Sequence, residues 1–171
     1  MCNDARGCPG AAKKERYGVV KMNSMERLQV QLKRHEGFRR HPYRCPAGKL
    51  TIGYGRNLDE NGISRAEAGE LLSNDLSYAF DDVAALVGED IFWRMVGASP
   101  ARLAVLANMA YNMGRATLSQ FQHMLAAVED SDWERAAEEM LDSRWAHQVG
   151  DRATELAAQM RTGEWQDAGG E

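Results

Sequence analysis

The amino-acid sequence predicts an α+β, mostly helical fold, and three observations carry that prediction. Residues 24–36 hold an apolar stripe at Met25, Leu28, Leu32 and His35 with helical spacing. Two short extended runs follow, over residues 41–45 and 49–54, around the turn residues Pro46-Ala47-Gly48. From Ser64 onward the 3.6-residue period returns and persists, punctuated by caps and glycines, nearly to the end of the 171 residues. The chain is 44% apolar, which supplies a core and excludes wholesale disorder.

Each element has its own signal. Residues 1–22 are polar, with Gly7, Pro9, Gly10 and Gly18, and read as a tail that buries little. Asn23 and Glu26 form a capping box for the first helix, and Gly37 ends it. A third short strand is expected near Arg56-Asn57-Leu58. Ser64 and Glu67 are a second capping box. Leu72, Leu76, Ala79, Val83 and Leu86 carry that helix to Gly88, with Leu71, Phe80 and Val87 widening the stripe. At about 24 residues it spans about 36 Å, long enough to link two lobes. Ile91, Phe92, Met95 and Val96 give a short helix. Ser99-Pro100 reads as an N-cap with Pro at the first helical position, opening a helix that ends at Gly114. A helix over 117–128, a third capping box at Ser131 and Glu134 for a helix to about Leu141, a short helix from Ser143-Arg144-Trp145 and a last one over 151–161 complete the chain. The expected organisation is a tail (1–22) and one domain (23–171), with an N-terminal lobe at 23–63, a linking helix at 64–88 and a helical lobe at 89–166.

Charge is unevenly spread. The first 85 residues carry 14 Lys and Arg against 11 Asp and Glu, a net +3; the rest carry 7 against 14, a net −7. A basic first half suits an anionic polymer. Nucleic acid is disfavoured, because no nucleic-acid motif or aromatic–basic interleaving is present. No apolar run approaches a membrane span, and the first 21 residues lack the apolar core of a secretory signal. Cys2, Cys8 and Cys45 are too few for a disulfide framework, and read as free thiols of a reducing compartment. His35, His41, His123 and His147 have no metal-ligand spacing, so neither metal nor cofactor is expected.

The chemistry concentrates between Arg34 and Arg56. Glu36 falls on the last turn of the first helix, where the negative end of the macrodipole disfavours its charged form by about 0.3–1 kcal/mol. That favours a proton on Glu36, as a general acid requires. A hairpin brings Cys45 and Thr51 near each other, so one acid, one thiol and one hydroxyl can meet. Taken singly these residues are a solvated Glu, a small buried Cys and an ordinary strand Thr; the combination at this spacing is what points to catalysis. Gly53-Tyr54-Gly55 lacks the third glycine and the helix start of a phosphate loop, and reads as a site of close backbone approach.

Glu36, eight residues, Cys45, five residues, Thr51 and then Ile52-Gly53-x-Gly55 resembles the phage-type lysozymes of glycoside hydrolase family 24. Many members have Asp at the position of Cys45. The likeness continues through Asn108-Met109-Ala110-Tyr111-Asn112-Met113-Gly114, Ser143-Arg144-Trp145, Arg152 and Arg161-Thr162-Gly163-Glu164-Trp165, covering roughly residues 25–166. The resemblance implies a lysozyme-like fold, with a small β-hairpin lobe joined by a long helix to a helical C-terminal lobe. It also implies an endolysin that cuts the β-1,4 bond between N-acetylmuramic acid and N-acetylglucosamine in peptidoglycan, with Glu36 as acid and Cys45 and Thr51 holding or activating water, by inversion. Positions matching Tyr111, Asn112 and Arg144 face the cleft in that family and are expected to bind substrate; for Arg144 a structural salt bridge is the alternative. Trp93, Trp133 and Trp165 read as core. A monomer is expected, without stable membrane insertion, held in the host cytoplasm until another protein opens the membrane. The rival reading is a wall-binding or virion structural module that keeps the cleft and lacks turnover.

Overall fold

The computed structural model describes residues 23–166. The expected tail, with Cys2 and Cys8, lies outside the described residues. The architecture is α+β and mostly helical, with one three-stranded antiparallel sheet of order β1-β2-β3. The chain divides into two compact units, one running to Ile63 and the other beginning at Ser64.

The first unit holds α1 (Ser24–Glu36), β1 (Arg39–Arg44), β2 (Leu50–Gly53), β3 (Arg56–Asn57) and α2 (Leu58–Asn61). The expected capping box at Asn23 and Glu26 is formed in both directions. The stripe on α1 is not buried: Met25 is 64% exposed, Leu28 47% and Leu32 46%. Among the described residues of that unit, β1 offers no apolar layer, since it reads Arg39-Arg40-His41-Pro42-Tyr43-Arg44. Tyr43 pairs with Thr51 and Arg44 with Leu50, while β2 meets β3 at Thr51–Asn57 and Ile52–Arg56. The turn closes as expected, with Cys45 N–H donating to the Lys49 carbonyl at 3.0 Å and Gly48 N–H to the Cys45 carbonyl at 2.8 Å. The short helix α2 has no counterpart in the sequence reading. Asn57 caps it by accepting from Glu60 N–H.

The second unit holds α3 (Arg65–Val87), α4 (Glu89–Ala98), α5 (Pro100–Met113), α6 (Arg115–Leu118), α7 (Gln122–Glu129), α8 (Trp133–Leu141), α9 (Arg144–Val149) and α10 (Asp151–Thr162). Its core centres on α5, whose Val105, Leu106 and Met109 are fully buried among Leu118, Met140 and Met160. On α3 only Ala79 and Val83 are buried; Leu71 and Leu72, placed in its stripe by periodicity, are exposed. The expected 117–128 helix is broken into α6 and α7 by a turn at Ser119-Gln120, with Phe121 standing before α7. The cap of α8 is Asp132, accepting from Arg135 N–H at 3.1 Å, rather than Ser131, whose φ is +60°. Ser99 makes no side-chain cap bond, and Arg102 Nη1 donates to its hydroxyl instead. Trp93 and Trp165 are 64% and 58% exposed, so neither is core; Trp133 is half-buried beneath the Arg102 guanidinium. Among the described residues no helix is long and apolar enough to cross a membrane.

Candidate active site

Glu36 is the last residue of α1, as its spacing requires. Its carboxylate reaches back over the sheet to Gly55, where φ is +82°. A Cβ at Gly55 would stand 2.9 Å from Glu36 Oε2, so an added methyl would push the carboxylate aside. Glycine suits the backbone conformation there, and it leaves the carboxylate the space it occupies. This contact is what the Gly-Tyr-Gly motif does, and the motif alone did not reveal it. The side chain of Glu36 is exposed.

Cys45 and Thr51 meet at the base of the β1–β2 hairpin. The Lys49 backbone N–H, hydrogen-bonding toward the sulfur, holds the Cys45 thiol below the usual thiol range; desolvation works against this, and Ala47 N–H and the Thr51 hydroxyl assist the lowering. Thr51 is buried at 4% exposure, and its hydroxyl donates to the Lys49 carbonyl at 3.1 Å. The thiol and hydroxyl thus share the backbone of one residue, Lys49, on the closing side of the turn. Asp59 accepts the Leu50 N–H at 2.9 Å and pins the start of β2. That carboxylate serves the sheet.

In the second unit, Tyr111 and Asn112 lie at the C-terminal end of α5 and Arg144 opens α9. Asn112 Oδ1 accepts the indole N–H of Trp145 at 2.8 Å, which fixes the amide and leaves its NH₂ without a partner among the described residues. Arg144 makes no ion pair among the described residues; it lines a groove of about 640 Å³ with Asn112, Phe121, Glu139, Asp142 and Trp145. Arg152 forks onto Asn108 Oδ1 and ties α10 to the middle of α5. Nothing in the sequence signalled the Trp145 hydrogen bond to Asn112.

The Phage lysozyme family profile matches residues 33–164, and the chain belongs to that family. Among relatives, it is 26% identical over 162 residues to probable T4-type lysozyme 2 of Dictyostelium discoideum, covering 80% of this chain and 94% of that protein. It is 26% identical over 115 residues to probable T4-type lysozyme 1 of the same organism, covering 66% of each. It is also 27% identical over 167 residues to the pre-baseplate central spike protein of Enterobacteria phage T4, covering 83% of this chain and 29% of the spike protein.

Proposed function

We propose that this chain is a muramidase acting as an endolysin, hydrolysing the β-1,4 bond between N-acetylmuramic acid and N-acetylglucosamine in bacterial peptidoglycan. The observation that carries the reading is the close approach of Glu36 Oε2 to Gly55, in the same unit as the thiol–hydroxyl pair of Cys45 and Thr51. Glu36, protonated, gives its proton to the glycosidic oxygen as the C1–O bond breaks through an oxocarbenium-like transition state. Water attacks C1 from the opposite face. Its proton passes to the Cys45 thiolate, and Thr51 orients the water and the sulfur. The product anomer is inverted, and both groups return to their starting protonation through solvent. Tyr111, Asn112 and Arg144 hold the substrate. The enzyme works as a monomer without cofactor, and reaches the wall after another protein has opened the membrane.

Dye release from purified peptidoglycan tests the reading. Parent protein should release dye, and Glu36→Gln should lower the rate by about 10²–10⁴-fold, the usual contribution of a general acid. A parent without turnover sinks it. The second reading, a wall-binding module within a virion structure, is favoured by the likeness to the spike protein and by a thiol in place of the commoner carboxylate at position 45. Its signature is peptidoglycan pull-down without dye release.

A further inference from the structure

A second groove, of about 480 Å³, lies between α3 and α5 and is not explained by the catalytic cluster. Asp75, Tyr78, Ala79 and Asp82 follow one another at positions i, i+3, i+4 and i+7, one face of α3. Ala110, Tyr111 and Asn112 face them from α5. Ala79 and Ala110, both 4% exposed, make its floor, and any larger side chain there would fill the groove. Tyr78 and Tyr111 stand above that floor at 67% and 48% exposure. Asp82 is held by Arg115 Nε at 3.6 Å. Asn112 lines this groove and the larger one beside Arg144, its carbonyl already committed to Trp145.

We propose that this groove is a saccharide subsite, and that Asp75, Tyr78 and Asp82 extend the substrate-binding set along α3. The proposal rests on the reading that the chain acts on a glycan. A pyranose offers two apolar C–H faces and a rim of hydroxyls. Tyrosine rings match the faces while keeping a wet hydroxyl. Carboxylates and an amide NH₂ match the rim, accepting from and donating to hydroxyls. The volume falls within the range of small-ligand sites. Through Asn112 one saccharide chain can run from this groove into the groove of Arg144.

The test uses the full chain carrying Glu36→Gln, so that the probe is not cleaved, and measures the affinity of the N-acetylglucosamine tetramer by calorimetry. Tyr78→Ala should weaken binding by about tenfold, Tyr78→Phe by no more than about twofold, and Asp82→Asn by about threefold or more. Tyr78 is 67% exposed, so the melting temperature of Tyr78→Ala should match that of the background. Affinity should hold within about twofold between about 50 and 500 mM salt, since a neutral sugar makes no ion pair. Unchanged affinity in Tyr78→Ala, no measurable binding by the background protein, or a tenfold loss with salt (the mark of an amine on the two carboxylates) overturns the proposal. The two readings fail separately. A parent without turnover whose Tyr78→Ala variant still loses affinity removes the muramidase and leaves the subsite. Turnover by the parent with no effect of Tyr78→Ala removes the subsite alone.

Discussion

Gly55 and Cys45 are the residues on which the proposed chemistry turns. Gly55→Ala places a methyl group 2.9 Å from Glu36 Oε2 at a φ of +82°, so the carboxylate must move. The backbone strain costs about 1–3 kcal/mol. Lytic rate should fall by at least an order of magnitude while the protein stays folded; a rate close to the parent's would show that the contact is incidental. Cys45 gives a prediction with a sign. Its thiol titrates below the usual thiol range because Lys49 N–H favours the anion. A thiolate base is lost as pH falls through that lowered value, so the acidic limb of the pH–rate profile should follow the Cys45 titration. The thiolate's contribution to stability has the same sign: present above the unfolded thiol value, lost as pH falls through the folded one. Cys45→Asp should keep activity and move the acidic limb toward the carboxylate range near pH 4. Cys45→Ala should lose most of the rate, and a bulky maleimide should block it in a Cys2→Ser, Cys8→Ser background. Full activity in Cys45→Ala would reduce Cys45 to a packing residue. The placement of Glu36 at a helix end and of Cys45 and Thr51 on a hairpin was legible because hairpin and helix signals are local. The Glu36–Gly55 approach was not, since it depends on where a side chain points across nineteen positions of chain.

At the scale of elements, helix ends decided which expectations held. Gly37, Gly88 and Gly114 end α1, α3 and α5 where the sequence places them, because a helix stop is written in one residue. Interior breaks are written in packing. The turn between α6 and α7 lets Leu118 and Met124 both reach full burial, and no glycine or proline marks it. The α1 stripe, and Leu71 and Leu72 at the start of α3, stay exposed for a related reason, while Ala79 and Val83 of the same α3 stripe are buried: periodicity tells which face is apolar, not whether anything covers it. Arg102 shows a contact the sequence conceals altogether. From α5 its Nε donates to the Met160 carbonyl and its Nη2 to the Arg161 carbonyl, both at 2.7 Å, closing the C-terminal end of α10. Its guanidinium lies 4.7 Å from the Trp133 ring centre, and a Cβ at Gly163 would stand 2.7 Å from Nη1. Arg102→Ala leaves those carbonyls without their donors and removes the cation–π contact, at about 1–3 kcal/mol for the orphaned groups. Lysine cannot fork onto both. Arg102→Ala should therefore lower the melting temperature by several degrees, with Arg102→Lys recovering only part; no shift in either would show that water replaces the guanidinium.

At the scale of the molecule, stability and the proposed chemistry occupy different units. Among the described residues, every buried hydrophobic side chain, from Ala79 to Met160, belongs to the second unit, while Thr51 is the single buried residue of the first. Burying a Leu or Met side chain contributes about 1.5–3 kcal/mol. The second unit therefore has the means to fold as a fragment, and residues 23–63, with a charged β1 and an exposed α1, do not. A fragment of residues 64–166 should melt cooperatively, whereas one of residues 23–63 should give no transition. Native-state hydrogen exchange on the full chain should show the same ranking: amides of α5, α8 and α10 exchange slowest, near the global unfolding free energy, and those of α1 and β1 exchange through smaller openings. Met109→Ala, in the middle of α5 and 0% exposed, should cost about 2–5 kcal/mol and raise exchange throughout the second unit. Such a division leaves an acid and a thiol on elements held mainly by local turns and caps, which suits a site that must open to a polymer. Equal protection of α1 and α5 would contradict it.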